Sequence, residues 1–168
     1  MRGALLVLES LLFTVLVPGS VTFWLPAYVV APGEFRWPAP SGPVVVAGAV
    51  LAALGLAIYL WCLWNFAVTG RGIPAPIDHP KRLVVRGLYR YVRNPMYLGV
   101  LLILLGEDLA FRSWRLLAYT AAWFAIWHIT ILVYEEPNLE RKFGDSYRRY
   151  RAAVNRWIPG SRYQGEPG

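Results

Sequence analysis

The residues able to do chemistry fall in two short polar stretches. The first, Arg86 to Val100, reads RGLYRYVRNPMYLGV, and the second, Glu135 to Pro159, opens EEPNLERKFGDSYRRY. Arg93 carries a permanent charge and a fork of donors that suits a carboxylate or a phosphate. Asn94 and Pro95 beside it read as the N-cap and first residue of a helix. Unpaired amides and a partial positive charge collect at such a point, which makes it a seat for an anion. The same residues also fit a membrane anchor, with Arg90 and Arg93 at lipid headgroups and Tyr89, Tyr91 and Tyr97 in an aromatic belt.

Glu135 and Glu136 stand where a long apolar run ends. Adjacent acids at a membrane boundary are costly unless they pair or bind a cation. Equally, they can open a helix at Pro137, whose first turn favours negative charge. Glu107 offers a further carboxylate for taking up a proton. His128 lies within an apolar run and can act as a relay or hydrogen-bond to a neighbouring helix. Gly70 and Gly72 permit backbone geometry that brings amides close to a ligand, or they end the preceding helix. Pro74, Pro76 and Pro80 hold the next piece extended. No thiolate metal cluster or intrachain disulfide can be built from the single Cys62, which reads as a small buried apolar residue, and no metal site is expected.

The elements that must position these groups are membrane helices. Of 168 residues, 57% are hydrophobic and only 16% are charged, against about a quarter in a soluble domain. A spanning helix needs about 20 mostly apolar residues. Four runs meet or approach that length, at about 4–30, 44–66, 95–111 and 114–134. The third is the shortest, because Glu107 and Asp108 cut into it. The lone Arg2 before an apolar region also fits a signal peptide, but Glu9 interrupts the apolar core and hydrophobicity runs on through Trp24, which favours a retained helix. The expected fold is all-α: one polytopic domain of about four spans over 1–168, with polar segments at 70–95 and 135–159. Pro32 to Pro43 is a Pro- and Gly-rich connection between the first two spans.

The net charge of +7 is unevenly spread. Arg2, residues 71–93 and the tail after Tyr134 hold fourteen of the seventeen basic residues. This is the positive-inside pattern, and it places both termini and the middle segment in the cytoplasm. It also matches an anionic lipid surface and argues against a nucleic-acid partner. In the tail, Leu139, Phe143, Tyr147, Tyr150 and Val154 recur at helical spacing as one apolar stripe. Gly144 should break that stripe into two helices, with Asp145 capping the second, as in an interfacial segment.

Read together, the two stretches resemble a known family. R-N-P-M-Y-L-G at Arg93 to Gly99, followed by Gly106-Glu107, is similar to the R-H-P-x-Y-x-G…G pattern of isoprenylcysteine carboxyl methyltransferases. E-E-P-x-L-x-x-x-F-G-x-x-Y-x-x-Y at Glu135 to Tyr150 resembles the segment that follows it there. The N-P-M-Y wording is close to phospholipid N-methyltransferases, which share the paired glutamates and a G-x-G element. The resemblance covers roughly Gly70 to Pro159, and the first span carries none of it.

It implies a small membrane enzyme that takes S-adenosylmethionine from the cytosol and a lipophilic acceptor from the bilayer; the Ala-, Gly- and Arg-rich composition points to a bacterial cytoplasmic membrane. By position it implies cofactor-pocket roles for Arg93, Asn94, Pro95, Tyr97 and Gly99, for Gly70 and Gly72, for Glu135 and Glu136, and for Tyr147 and Tyr150 of the closing tail. Arg93, Glu135, Glu136 and Glu107 are the candidates for the chemistry itself. Asn94 departs from the histidine usual in the carboxyl methyltransferases, which leaves both amine and carboxylate acceptors open. The outline is also similar to membrane steroid reductases that use NADPH, and a non-catalytic membrane scaffold is the remaining alternative.

Overall fold

The computed structural model describes residues 12, 14–30, 42–65 and 83–165. Gly70, Gly72 and the prolines that follow them lie outside the described residues, as does the connection at 31–41. Among the described residues every regular element is helical, and the one strand-like feature is an isolated parallel bridge between Val92 and Asn155. The N-terminal helix reaches Val30 through two π-helical stretches, Ser20–Trp24 and Pro26–Val30. Pro26 has no N–H to donate, and the wider π register, with Leu25 N–H bonding Ser20 O, surrounds that gap.

α1 (Pro43–Asn65) and α2 (Pro95–Phe111) form an antiparallel pair that is the main packing unit. Glycines make it possible. A Cβ on Gly48 would lie 2.5 Å from Gly106 O, and one on Gly55 would lie 2.5 Å from Gly99 O; the reciprocal contacts are 2.5 and 2.8 Å. Lipid tails give apolar helices no reason to associate, so close backbone contact through small residues takes over that role. The remaining faces of α1 carry exposed Val46, Val50, Leu54, Trp61 and Trp64, as a lipid-facing helix should.

α2 has 17 residues, about 26 Å of helix, a little short of the ~30 Å hydrocarbon core. It ends at Arg112, which adopts the left-handed conformation (φ 52°) and donates its N–H to Asp108 O at 2.8 Å. α3 (Trp114–Thr130) begins immediately, runs through a π-helical turn (Ile131–Glu135), and continues as α4 (Glu136–Phe143). Pro137 therefore does not open a separate helix, which is one of the two readings the paired acids allow. The π turn re-registers the backbone just before the proline, where its missing N–H and its ring would otherwise disturb a regular α-helix. Among the described residues, two helices are long and apolar enough to cross a membrane: Pro43–Asn65 and the continuous Trp114–Phe143.

Gly144 (φ 52°) turns the chain into α5 (Asp145–Ala153). Gly144 itself is the N-cap; Asp145 is the first helical residue, and its carboxylate pairs with Arg148 rather than capping. The apolar stripe of the tail does what its spacing suggests. Tyr147, Tyr150 and Val154 form a core with Leu83 and Val85, and Leu139, Phe143 and Tyr163 pack against it. This small core holds the polar segments against the helix ends.

Candidate functional site

Three pieces of chain meet at the end of the bundle where α2 begins. The first is the segment before α2. Leu83, Val84 and Val85 are buried, Gly87 (φ 56°) makes a turn into the 3-10 helix Gly87–Arg90, and Arg93 and Asn94 follow. A Cβ at Gly87 would also come within 3.0 Å of Trp61 Nε1, so both conformation and space call for glycine there. The second is the π turn and α4, carrying Ile131, Glu135, Glu136 and Leu139. The third is α5 with the tail beyond it.

The tail clasps the first piece residue by residue. Arg93 N–H donates to Asn155 O at 2.8 Å, Gly160 N–H to Tyr91 O at 2.9 Å and Tyr163 N–H to Arg90 O at 2.9 Å. Tyr150 Oη donates to Tyr89 O at 2.6 Å, and the Asn94 amide to Arg156 O at 3.3 Å. Asn94 is indeed the N-cap of α2, but its side chain serves the clasp and makes no cap hydrogen bond. Farther out, Trp157 Nε1 donates to His128 Nδ1 at 3.0 Å. His128 therefore bonds to the tail instead of to a neighbouring helix.

Between the three pieces lies a pocket of about 90 Å³, walled by Leu83, Val84, Ile131 and Leu139 and edged by Tyr89, Arg93, Asn94, Glu135, Glu136, Tyr147 and Tyr150. Its charges are concentrated on Glu136, which is 6% exposed. Arg93 lies 2.9 Å from Glu136 Oε1, and Arg156 makes a two-point contact with the same carboxylate at 2.8 and 3.0 Å. Two guanidiniums surround this one carboxylate, and Glu135 adds a second acid to the pocket edge. Arg93 Nε is buried without a hydrogen-bond acceptor, which is costly unless an acceptor arrives. Glu135, half-buried, accepts a hydrogen bond from Tyr97 Oη, and the Tyr97 ring lies 5.4 Å from that of Trp127.

The tyrosines of this pocket are held protonated. Burial pushes the Tyr147 phenol up to about 12, the Glu136 charge adds to the effect, and Arg93 opposes it. Burial also raises Tyr150 and, further, Tyr89. All three are therefore hydroxyl donors near neutral pH, and not bases.

Of the residues singled out from sequence, Arg93, Asn94, Glu135, Glu136, Tyr147 and Tyr150 come together at this pocket, with Tyr97 bonded to one of its acids. Pro95 is fully buried at the start of α2, and Gly99 is spent on the contact with Gly55. Glu107 does not join them. It lies twelve residues beyond Pro95 on the same helix, about 18 Å along the axis, with Oε2 buried and without a hydrogen bond. Arg156 is the charged residue that the sequence did not disclose. Nothing in its spacing ties it to Glu136, and only the folding back of the tail brings them together.

Apolar spanning helices that close over a buried, ion-paired pocket at one end define a helical membrane protein with a built polar site. The family model for phospholipid methyltransferase matches residues 43–146, more than half of the chain, and the chain belongs to that family. It is 45% identical over 71 residues to an uncharacterised protein of Haemophilus influenzae, covering 38% of this chain and all of that one. It is 39% identical over 80 residues to the protein-S-isoprenylcysteine O-methyltransferase of Schizosaccharomyces pombe, covering 46% of this chain and 33% of the yeast protein. No solved structure matches.

Proposed function

We propose that the protein is an S-adenosylmethionine-dependent methyltransferase acting on a lipophilic acceptor at the membrane. The observation that carries this reading is the family match over residues 43–146, which includes both polar stretches of the pocket up to Ser146. The arrangement of charge supports it. Arg93, with a buried Nε lacking an acceptor, suits the carboxylate of the cofactor's amino-acid end. Glu135 suits its ammonium or ribose hydroxyls. When bound, S-adenosylmethionine supplies a methyl group on a sulfonium, ready for in-line displacement.

The chain's own contribution is then alignment and exclusion of water more than elaborate proton transfer. Leu83, Val84, Ile131 and Leu139 supply the dry walls, and Tyr89, Tyr147 and Tyr150 supply neutral donors at the edge. An amine acceptor must lose a proton before its lone pair can attack, and Glu135, at the membrane end of the pocket, is the carboxylate placed to take it. A carboxylate acceptor needs no base, only orientation by a cation, and Arg90 or Arg93 would provide that. The four-span reading and the cytoplasmic placement of both termini belong to the same proposal. They put the pocket on the side where the cofactor is made.

Methyl-labelled cofactor, given with vesicles of phosphatidylethanolamine and separately with a prenylated cysteine, tests the acceptor class. Label in the phospholipid supports amine methylation, and label in the prenylcysteine supports carboxyl methylation. Label in neither, nor in total membrane lipid extract, contradicts the reading.

A further inference from the structure

The helix that carries Glu135 and Glu136 presents a second polar face. Tyr134, Asn138, Arg141 and Lys142 line an open recess of about 460 Å³. Their spacing places them on one side of the helix, separate from the side that Glu136 and Leu139 turn to the pocket. The recess lies just where the spanning helix stops being apolar: Ile129, Leu132 and Val133 are exposed immediately before it. Side chains on a helix lean toward its N-terminus, so Arg141 and Lys142 reach back toward that boundary.

The acids that follow it on α4 and α5 are already matched. Glu136 is taken by Arg93 and Arg156, Glu140 by Arg148 and Arg151, and Asp145 by Arg148. Arg141 bonds to the neutral amide oxygen of Asn138, and among the described residues it makes no ion pair. We infer that this recess seats the phosphate of an anionic phospholipid headgroup, held by Arg141 and Lys142, with Tyr134 at the hydrocarbon edge. A guanidinium fork and an ammonium together fit a phosphodiester, and an interfacial tyrosine is amphipathic in the way that depth requires. The inference rests on the helix standing in a membrane and is independent of any methyl transfer.

Native mass spectrometry of the detergent-purified full chain tests it, after exchange into phosphatidylglycerol or phosphatidylcholine. The wild type should retain phosphatidylglycerol preferentially, and Arg141→Gln with Lys142→Gln should weaken retention by about fivefold for each charge removed. Arg149→Gln, on the exposed side of α5 with only a 3.5 Å contact to Ser146, should leave it unchanged. The lipid preference of the wild type is read without any variant, so its absence alone would overturn the proposal. Equal loss in Arg149→Gln would show diffuse charge attraction instead of a seat. Displacement of the lipid by millimolar inorganic phosphate would show a site for free anions, and it too would overturn the assignment.

Discussion

Glu136 is the residue on which the site turns. One buried carboxylate faces two guanidiniums, so its charge is neutralised while the pocket as a whole keeps an excess of donors. Such a pair is weak evidence for stability but good evidence for a fixed geometry, since loss of one partner leaves a buried charge uncompensated. Tyr147 reports on the same environment. Its phenol is raised by burial from the usual value of about 10 to about 12. Between these values the folded protein keeps a proton that the unfolded chain has lost. The resulting stabilisation is complete below about pH 10 and is lost as pH rises through about 12. Thermal melts of detergent-solubilised protein should therefore fall in this window, and Tyr147→Phe should flatten that fall. Identical slopes in the two proteins would show that another group sets it.

Among the elements, the α1–α2 pair depends on the four glycines that face one another. Gly55→Leu would push a side chain into Gly99 O and the backbone of Ile103, forcing the helices apart. Overpacking of this kind costs about 1–3 kcal/mol, readable as earlier unfolding of the purified protein in graded denaturing detergent. Gly42→Leu, where an added Cβ meets nothing within 4 Å, is the control and should unfold with the wild type. Much of this level is legible in sequence. Long apolar runs mark α1 and α3, Asn94-Pro95 marks the start of α2, and Gly144 marks the turn between α4 and α5. The continuity of α3 into α4 was hidden, because a proline after two acids reads as a helix start. Only a π turn, which leaves no compositional trace, lets the helix run on.

For the whole molecule, the closing tail matters most. Residues 154–163 return across the segment before α2 and bind it mainly through backbone groups, which no side-chain pattern announces. For this reason Arg93, Glu135 and Glu136 could be picked from sequence as site residues while Arg156 could not. Their mutual pairing was equally invisible, since charge type does not say which neighbour will answer it. The basic residues also give the molecule a direction. If the positive-inside reading holds, reporter fusions at both termini should report the cytoplasmic side, and one placed in the 31–41 connection should report the opposite side. Termini on opposite sides would mean an odd number of crossings and would displace α2 from the count.

Whether the pocket at Arg93 binds S-adenosylmethionine is read most plainly by calorimetric titration of the purified full chain, with NADPH as the competing cofactor. Saturable binding of S-adenosylmethionine alone, weakened at least about tenfold by Arg93→Gln, is the expected result. Binding of NADPH in its place, or of neither cofactor by protein that remains helical and monodisperse, would contradict it.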